Sequence, residues 1–234
     1  MKFLHISDLH IGKYVNGYRM LDDQRYMLER IVEIIKEKNP DALLIAGDIY
    51  DKSLPSAEAV ELFDSFMTEI AGLHGKTGLK TFVISGNHDS PERIGYFNKL
   101  IELNGIFTDG VFEGIARKNT VECDGEKVNI FSLPFIRPSF VRKVYPEESA
   151  KITDYTTAVR VVLEHSEINA DETNILIAHQ FVTGSETSGS ESSSVRLIML
   201  SRMFLNRSIM LHSVIFTASR LWAKTKILPI AVHR

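Results

Sequence analysis

Three short apolar runs within the first ninety residues each end in a cluster of oxygen and nitrogen donors, and this repeat constrains the fold more than any other feature. Phe3-Leu4-His5-Ile6 leads into Asp8-Leu9-His10, Ala42-Leu43-Leu44-Ile45-Ala46 into Gly47-Asp48-Ile49-Tyr50-Asp51, and Thr81-Phe82-Val83-Ile84 into Gly86-Asn87-His88-Asp89. Short apolar runs bounded by Gly, Asp and Asn read as buried strands of a parallel sheet. Ligands bind outside the carboxyl ends of such strands, so three donor clusters in one structural position point to one site.

The segments between and after these runs complete an α/β pattern. Arg19 to Lys38 places Met20, Leu21, Met27, Leu28, Ile31, Val32, Ile34 and Ile35 at helical spacing. Ser56 to Leu73 reads as a helix with an N-cap serine, and Ile94 to Leu103 as one stopped by Asn104-Gly105. Residues 118–133 read as two strands around Cys123-Asp124-Gly125, and Thr153 to His165 as a further helix. The expected fold is α/β, two sheets in a sandwich flanked by helices.

The donor types specify a chemistry. A bridging carboxylate such as Asp48 can hold two divalent cations ~3.5–4 Å apart, the spacing of two-metal phosphoesterases. A mixed Asp, His and Asn set favours Mn, Fe or Zn over Ca. Gly47 and Gly86 allow the backbone to turn sharply. Asn87 offers a neutral carbonyl oxygen, while His88 beside it is poorly placed for the same metal and reads as a general acid or electrostatic partner. Asp89 reads as a loop anchor. His5, on the opposite side of its strand from Leu4, reads as structural.

These residues carry a resemblance. DxH, GDxxD and GNHD in this order resemble the metallophosphoesterase superfamily. The fuller strings SDLHIGK, AGDIYDKSLPS and ISGNHDSPER are similar to the D-type nuclease subunits of bacterial SbcCD complexes, kin to the double-strand-break repair nucleases. A fourth element fits, the apolar run Asn174-Ile175-Leu176-Ile177-Ala178 ending in His179. The resemblance covers residues 1–192. It implies Asp8, His10, Asp48, Asn87 and His179 as ligands of two divalent metal ions, Mn first among them, and His88 as the catalytic histidine. Asp51 sits where some relatives carry a substrate-facing histidine. The implied activity is hydrolysis of DNA phosphodiesters in repair and recombination. The implied partners are DNA, an SbcC-like ATPase subunit and a second copy of the chain. Two other classes stay open, a phosphodiesterase or phosphatase of small substrates and an inactive, binding-only fragment.

Composition agrees. A single cysteine, Cys123, excludes an internal disulfide and a thiolate-built zinc site. No charged leader precedes an apolar segment and no run approaches ~18 apolar residues, so neither secretion nor a membrane span is expected. The expected location is cytoplasmic.

The tail breaks the pattern. From Arg196 to Arg234 there is no Asp, Glu or Gly, although the chain holds 30 acidic residues and 14 glycines. Seven of the 27 basic residues lie there, so residues 1–195 hold 20 basic against 30 acidic side chains. The resemblance implies a Gly-His-x-His segment with two last metal-ligand histidines, and none is present. A frame displacement accounts for this. When each codon is built from the third base of one residue's codon and the first two of the next, the junctions from Ser213 through Thr217 permit Gly-His-Ile-His. Those from Ser208 to His212 permit Asp-Tyr-Val-Ala, and those from Pro229 to Arg234 permit Tyr-Cys-Gly-Ser-Pro. Residues 1–192 are therefore read as a nuclease domain with an incomplete C-terminal part, and 193–234 as an out-of-frame tail. The polar stretch 184–194 reads either as a loop following the fourth motif or as a flexible linker.

Overall fold

Each of the three donor-tipped runs forms a strand: β1 (Lys2–Ile6), β4 (Ala42–Ala46) and β5 (Lys80–Ile84). The computed structural model describes residues 1–180, 210–212, 214–216 and 226–229. It divides into two units. The first spans Met1–Gly110 and takes in a C-terminal strand, and the second begins at Val111.

In the first unit, β6 (Ile106–Asp109) and β12 (Lys226–Pro229) complete a five-stranded sheet of order β12-β1-β4-β5-β6. Every pair in it is parallel. All carboxyl ends therefore open on one edge. Crossovers between parallel neighbours need helices, supplied by α1 (Leu21–Lys38) and α2 (Ala57–Thr77). Leu28, Ile31 and Ile35 of α1 and Leu62, Phe66 and Ile70 of α2 share a core with Leu4, Ile6, Leu43, Ile45 and Val83 of the sheet.

The helix boundaries follow local chemistry. Ser56 caps α2 by accepting a hydrogen bond from the Ala59 N–H, and Gly78 ends it in the left-handed region at φ 77°. That helix runs one turn past the expected end at Leu73. Helix α1 starts at Leu21 rather than Arg19, because β2 (Tyr14–Val15) and β3 (Tyr18–Arg19) pair as a hairpin. Its tip is Asn16-Gly17, at φ 51° and 83°, the positive pair that a tight hairpin turn demands.

One expectation fails. Residues 94–103 are not a continuous helix but α3 (Pro91–Ile94), α4 (Asn98–Ile101) and a 3-10 turn over Glu102–Asn104. Phe97 interrupts them at φ 59°. Tyr96, Phe97, Leu100 and Leu103 are exposed, while Ile94 and Ile101 reach the core. Packing of an apolar face supplies most helix stability, and this segment buries too little of one.

The second unit holds a mixed sheet of order β11-β10-β9-β8-β7. Its strands are β7 (Arg117–Cys123), β8 (Glu126–Leu133), β9 (Asn174–Ala178), β10 (Met210–His212) and β11 (Val214–Phe216). The expected β7–β8 hairpin turns at Asp124 and Gly125, φ 52° and 76°. Helices α5 (Pro138–Val144) and α6 (Tyr155–His165) cover it, with Val141, Val159 and Val162 packed among Phe131, Leu133 and Leu176. A capping box between Asp154 and Thr157 starts α6. The architecture is thus α/β with a parallel sheet and a second, mixed sheet, both flanked by helices. No helix among the described residues is long and apolar enough to cross a membrane. The polar stretch 184–194, and residue 193 where the displaced reading begins, lie outside the described residues.

Candidate metal centre

The loops after β1 and β4 run side by side beyond the strand ends. Asp8 N–H donates to the Gly47 carbonyl at 3.1 Å, His10 N–H to Asp48 at 2.9 Å and Ile11 N–H to Ile49 at 2.9 Å. This pairing carries Asp8, His10 and Asp48 together. Each of the three takes positive φ, 56°, 43° and 50° respectively. Non-glycine residues seldom do so, and such strain, of order 1–3 kcal/mol each, gathers at functional sites where the surroundings enforce it.

The loop after β5 is held against them by two devices. Gly86 is the first: a Cβ there would lie 2.1 Å from Asp48 Oδ1 and 2.2 Å from Asp48 N, so only glycine permits the approach. Asp89 is the second. Its Oδ2 accepts from Gly86 N–H at 2.8 Å and Ile49 N–H at 3.1 Å, and its Oδ1 accepts from Tyr50 N–H at 2.9 Å. Burial pushes the Asp89 carboxyl above its ordinary pKa, against the pull of those three N–H groups. The expected loop anchor therefore ties the β4 and β5 loops to each other.

Asp48, His10 and His88 converge, with one donor atom from each lying within 4.8 Å of the others. Asp48 Oδ1 accepts the His88 N–H at 2.9 Å, while its Oδ2 lies 3.7 Å from His10 Nε2 and 4.0 Å from His88 Nε2. The His10 and His88 rings meet edge to face with centroids 4.9 Å apart. Burial lowers the His10 pKa, with the Asp48 charge opposing, which favours the neutral imidazole that ligates metals. His10 Nδ1 is buried with no hydrogen-bond partner among the described residues, 3.7 Å from Asp51 Oδ1. The ring thus has one carboxylate near each nitrogen, Asp48 near Nε2 and Asp51 near Nδ1, a donor set that fits a divalent cation.

His88 differs from His10. Its side chain is 40% exposed, and its Nδ1 is 2.9 Å from the Asp51 main-chain oxygen. A carbonyl only accepts, so Nδ1 carries the hydrogen and Nε2 faces the Asp48 side. Asn87 lies half-buried in the same loop. His179 directly follows β9 in the second unit and is buried. His5 is buried, and desolvation depresses its pKa to about 4.

One contributor escapes a reading of motifs. Gln24 of α1 is 9% exposed and bonds to the Leu9–Gly12 turn through its side chain. The signal was its position: a polar residue on the buried stripe of Leu21, Leu28, Ile31 and Ile35.

Parallel strands, helical crossovers and a strand-end cluster of Asp and His define a phosphoesterase-type site. The sequence matches the calcineurin-like phosphoesterase family model over residues 1–202, and the chain belongs to that family. It is also similar to the D-type subunit of the nuclease SbcCD from Staphylococcus epidermidis, with 36% identity over 193 residues, covering 82% of this chain and 49% of that relative. The chain thus spans about half the length of the curated relative it matches.

Proposed function

We propose that this chain carries the catalytic domain of a metal-dependent DNA phosphodiesterase, an exo- or endonuclease subunit acting in repair and recombination. The observation that carries the reading is the convergence of His10, Asp48 and His88, donor atoms within 4.8 Å, at the open edge of a parallel sheet. Asp8, His10, Asp48, Asn87 and His179 would hold two divalent ions, Mn by preference. Such ions supply Lewis-acid stabilisation of the phosphoryl charge.

The chain's own groups do the rest. Neutral His10 presents a ring nitrogen, and Asp48 is oriented by the His88 N–H bond to its Oδ1. His88 keeps Nδ1–H on the Asp51 carbonyl, so in its imidazolium form the second proton sits on Nε2, from which it would pass to the departing oxygen and leave the neutral ring.

The excess of acidic side chains in residues 1–195 argues against strong autonomous grip on a phosphate backbone, which needs basic contacts. An SbcC-like ATPase that captures DNA, with the nuclease chain as a homodimer inside the complex, answers that need. The name of the staphylococcal relative supports this partnership, and a cytoplasmic location goes with it. Residues from 193 onward belong to a displaced frame, which leaves the last pair of ligand histidines out.

The test compares cleavage of end-labelled duplex DNA with hydrolysis of bis(p-nitrophenyl) phosphate, using a frame-restored protein in Mn and in EDTA. Mn-dependent DNA cleavage supports the reading. Turnover of the small phosphodiester without DNA cleavage would favour a small-substrate phosphodiesterase. Absence of both would leave a binding-only fragment.

A further inference from the structure

The turn that carries His10 is gripped from outside by one side chain. His10 and Gly12 adopt φ 43° and 88°, and a strained turn persists only where its surroundings over-determine it. Gln24, one turn into α1, meets that need with its entire carboxamide. Its Oε1 accepts from Gly12 N–H at 2.9 Å, and its Nε2 donates to the Leu9 carbonyl at 3.2 Å and to the His10 carbonyl at 2.7 Å. The three bonds bracket the peptide units on either side of His10. An amide on a buried helix stripe is costly unless fully hydrogen-bonded, and these three side-chain bonds of Gln24 all go to this turn.

We propose that Gln24 is a positioning residue for His10, fixing the backbone from which the imidazole reaches between Asp48 and Asp51. This rests on the reading of His10 as a metal ligand. Helix α1 is anchored in the core by Leu28, Ile31 and Ile35, so Gln24 ties the donor loop to a rigid element. Groups that orient a ligand typically change metal affinity by 10–100-fold.

The experiment uses the full chain with three substitutions. Gln24→Met keeps the length and removes the hydrogen bonds. Gln24→Glu keeps the acceptor for Gly12 but sets a carboxylate oxygen against two carbonyls. Val32→Ala loosens the same helix at a core position away from the turn. Hydrogen exchange of the peptide spanning residues 9–13 is measured without metal, and Mn affinity by calorimetry. Faster exchange across 9–13 and Mn affinity weaker by about tenfold or more in both Gln24 variants, with neither change in Val32→Ala, is the expected result. Unchanged exchange, or equal effects in Val32→Ala, would overturn the proposal. A parent chain that takes up no Mn, while exchange still responds to Gln24 alone, would sink the metal reading and leave Gln24's hold on the His10 turn standing.

Discussion

The Nδ1–H of His88 donates to the main-chain carbonyl of Asp51 at 2.9 Å, and this bond decides which ring nitrogen faces Asp48. A main-chain acceptor cannot change its protonation state, so the tautomer of His88 does not depend on a second titrating group. Asp51 thus serves His88 through its backbone and lies near His10 through its carboxylate.

That arrangement separates chemistry from metal binding at His88. In a frame-restored protein, His88→Ala is expected to keep stoichiometric Mn while turnover falls by ~10²–10⁴-fold, the usual contribution of a positioned acid–base group. Calorimetry and single-turnover cleavage on the same preparation distinguish the outcomes. Loss of metal would make His88 a ligand, and an unchanged rate would make it a bystander.

Asp48 stands at the meeting of all three loops, accepting the His88 N–H and facing both rings. In a frame-restored protein, Asp48→Ala is expected to abolish paired Mn binding, because a shared carboxylate is the element that two-metal sites require. Metal analysis after gel filtration reads this directly. A variant that retains two Mn ions and full activity removes Asp48 as the bridge.

Gly86→Ala tests the packing beneath the site. The added methyl would sit 2.1 Å from Asp48 Oδ1, a distance no relaxation of a flexible tip can absorb, since Asp48 N lies at 2.2 Å. Overpacking of this kind costs about 1–3 kcal/mol, and here the displaced group is the candidate bridge. Loss of Mn binding and a lower urea midpoint are expected together. Wild-type metal affinity in Gly86→Ala would show that the β5 loop can withdraw without consequence.

Much of this was legible in the sequence because the signals are local. Short apolar runs bounded by Gly and Asp announced β1, β4, β5 and β9, and Ser56 and Asp124-Gly125 announced a cap and a turn through their own backbone preferences. What escaped depends on partners distant in sequence. Gln24 gains meaning only when α1 lies against the Leu9–Gly12 turn. The acceptor for His88 is a carbonyl and has no side-chain signature. Residues 94–103 carry a helical pattern of apolar residues, yet Tyr96, Phe97, Leu100 and Leu103 found no core to face. Asn16-Gly17 was a hairpin signal, but strands of two residues each give no alternation to read.

His5 supplies a pH dependence. Buried in β1, it has its pKa depressed from 6.5 to about 4 by desolvation, with Asp8 opposing. The unfolded chain therefore gains a proton at His5 below pH 6.5 that the folded chain refuses until about pH 4. Its contribution is fully present above pH 6.5 and is lost as pH falls through that window, about 3 kcal/mol at ~1.36 kcal/mol per pKa unit. His5→Leu should flatten the fall in urea-measured stability between these pH values by one proton's worth. Identical slopes in the two proteins would place the acid sensitivity elsewhere.

The last prediction concerns the tail. Strand β10 runs parallel to β9 with His212 opposite Ile177, and Val214 opens β11, which turns back antiparallel with Val214 opposite His212. His179 follows β9 in sequence, and in the displaced frame Gly-His-Ile-His begins at the junction of Ser213 and Val214. The restored histidines would therefore fall along the positions of β11 (Val214–Phe216), the strand after β10. The chain as it stands has no Gly-His-x-His segment, so on the proposed reading two ligand imidazoles would be lacking from the metal site. The sequence from Arg196 onward is also rich in Leu, Ile, Met and Phe without a single glycine, a composition that favours association between chains. The 234-residue chain is expected to show little or no nuclease activity in Mn and to elute partly as aggregate. The frame-restored chain should be monodisperse and active. Equal, metal-dependent cleavage by both would overturn the ligand assignment and the foreign origin of the tail together, because an active chain would then need neither the Gly-His-Ile-His histidines nor the restored frame.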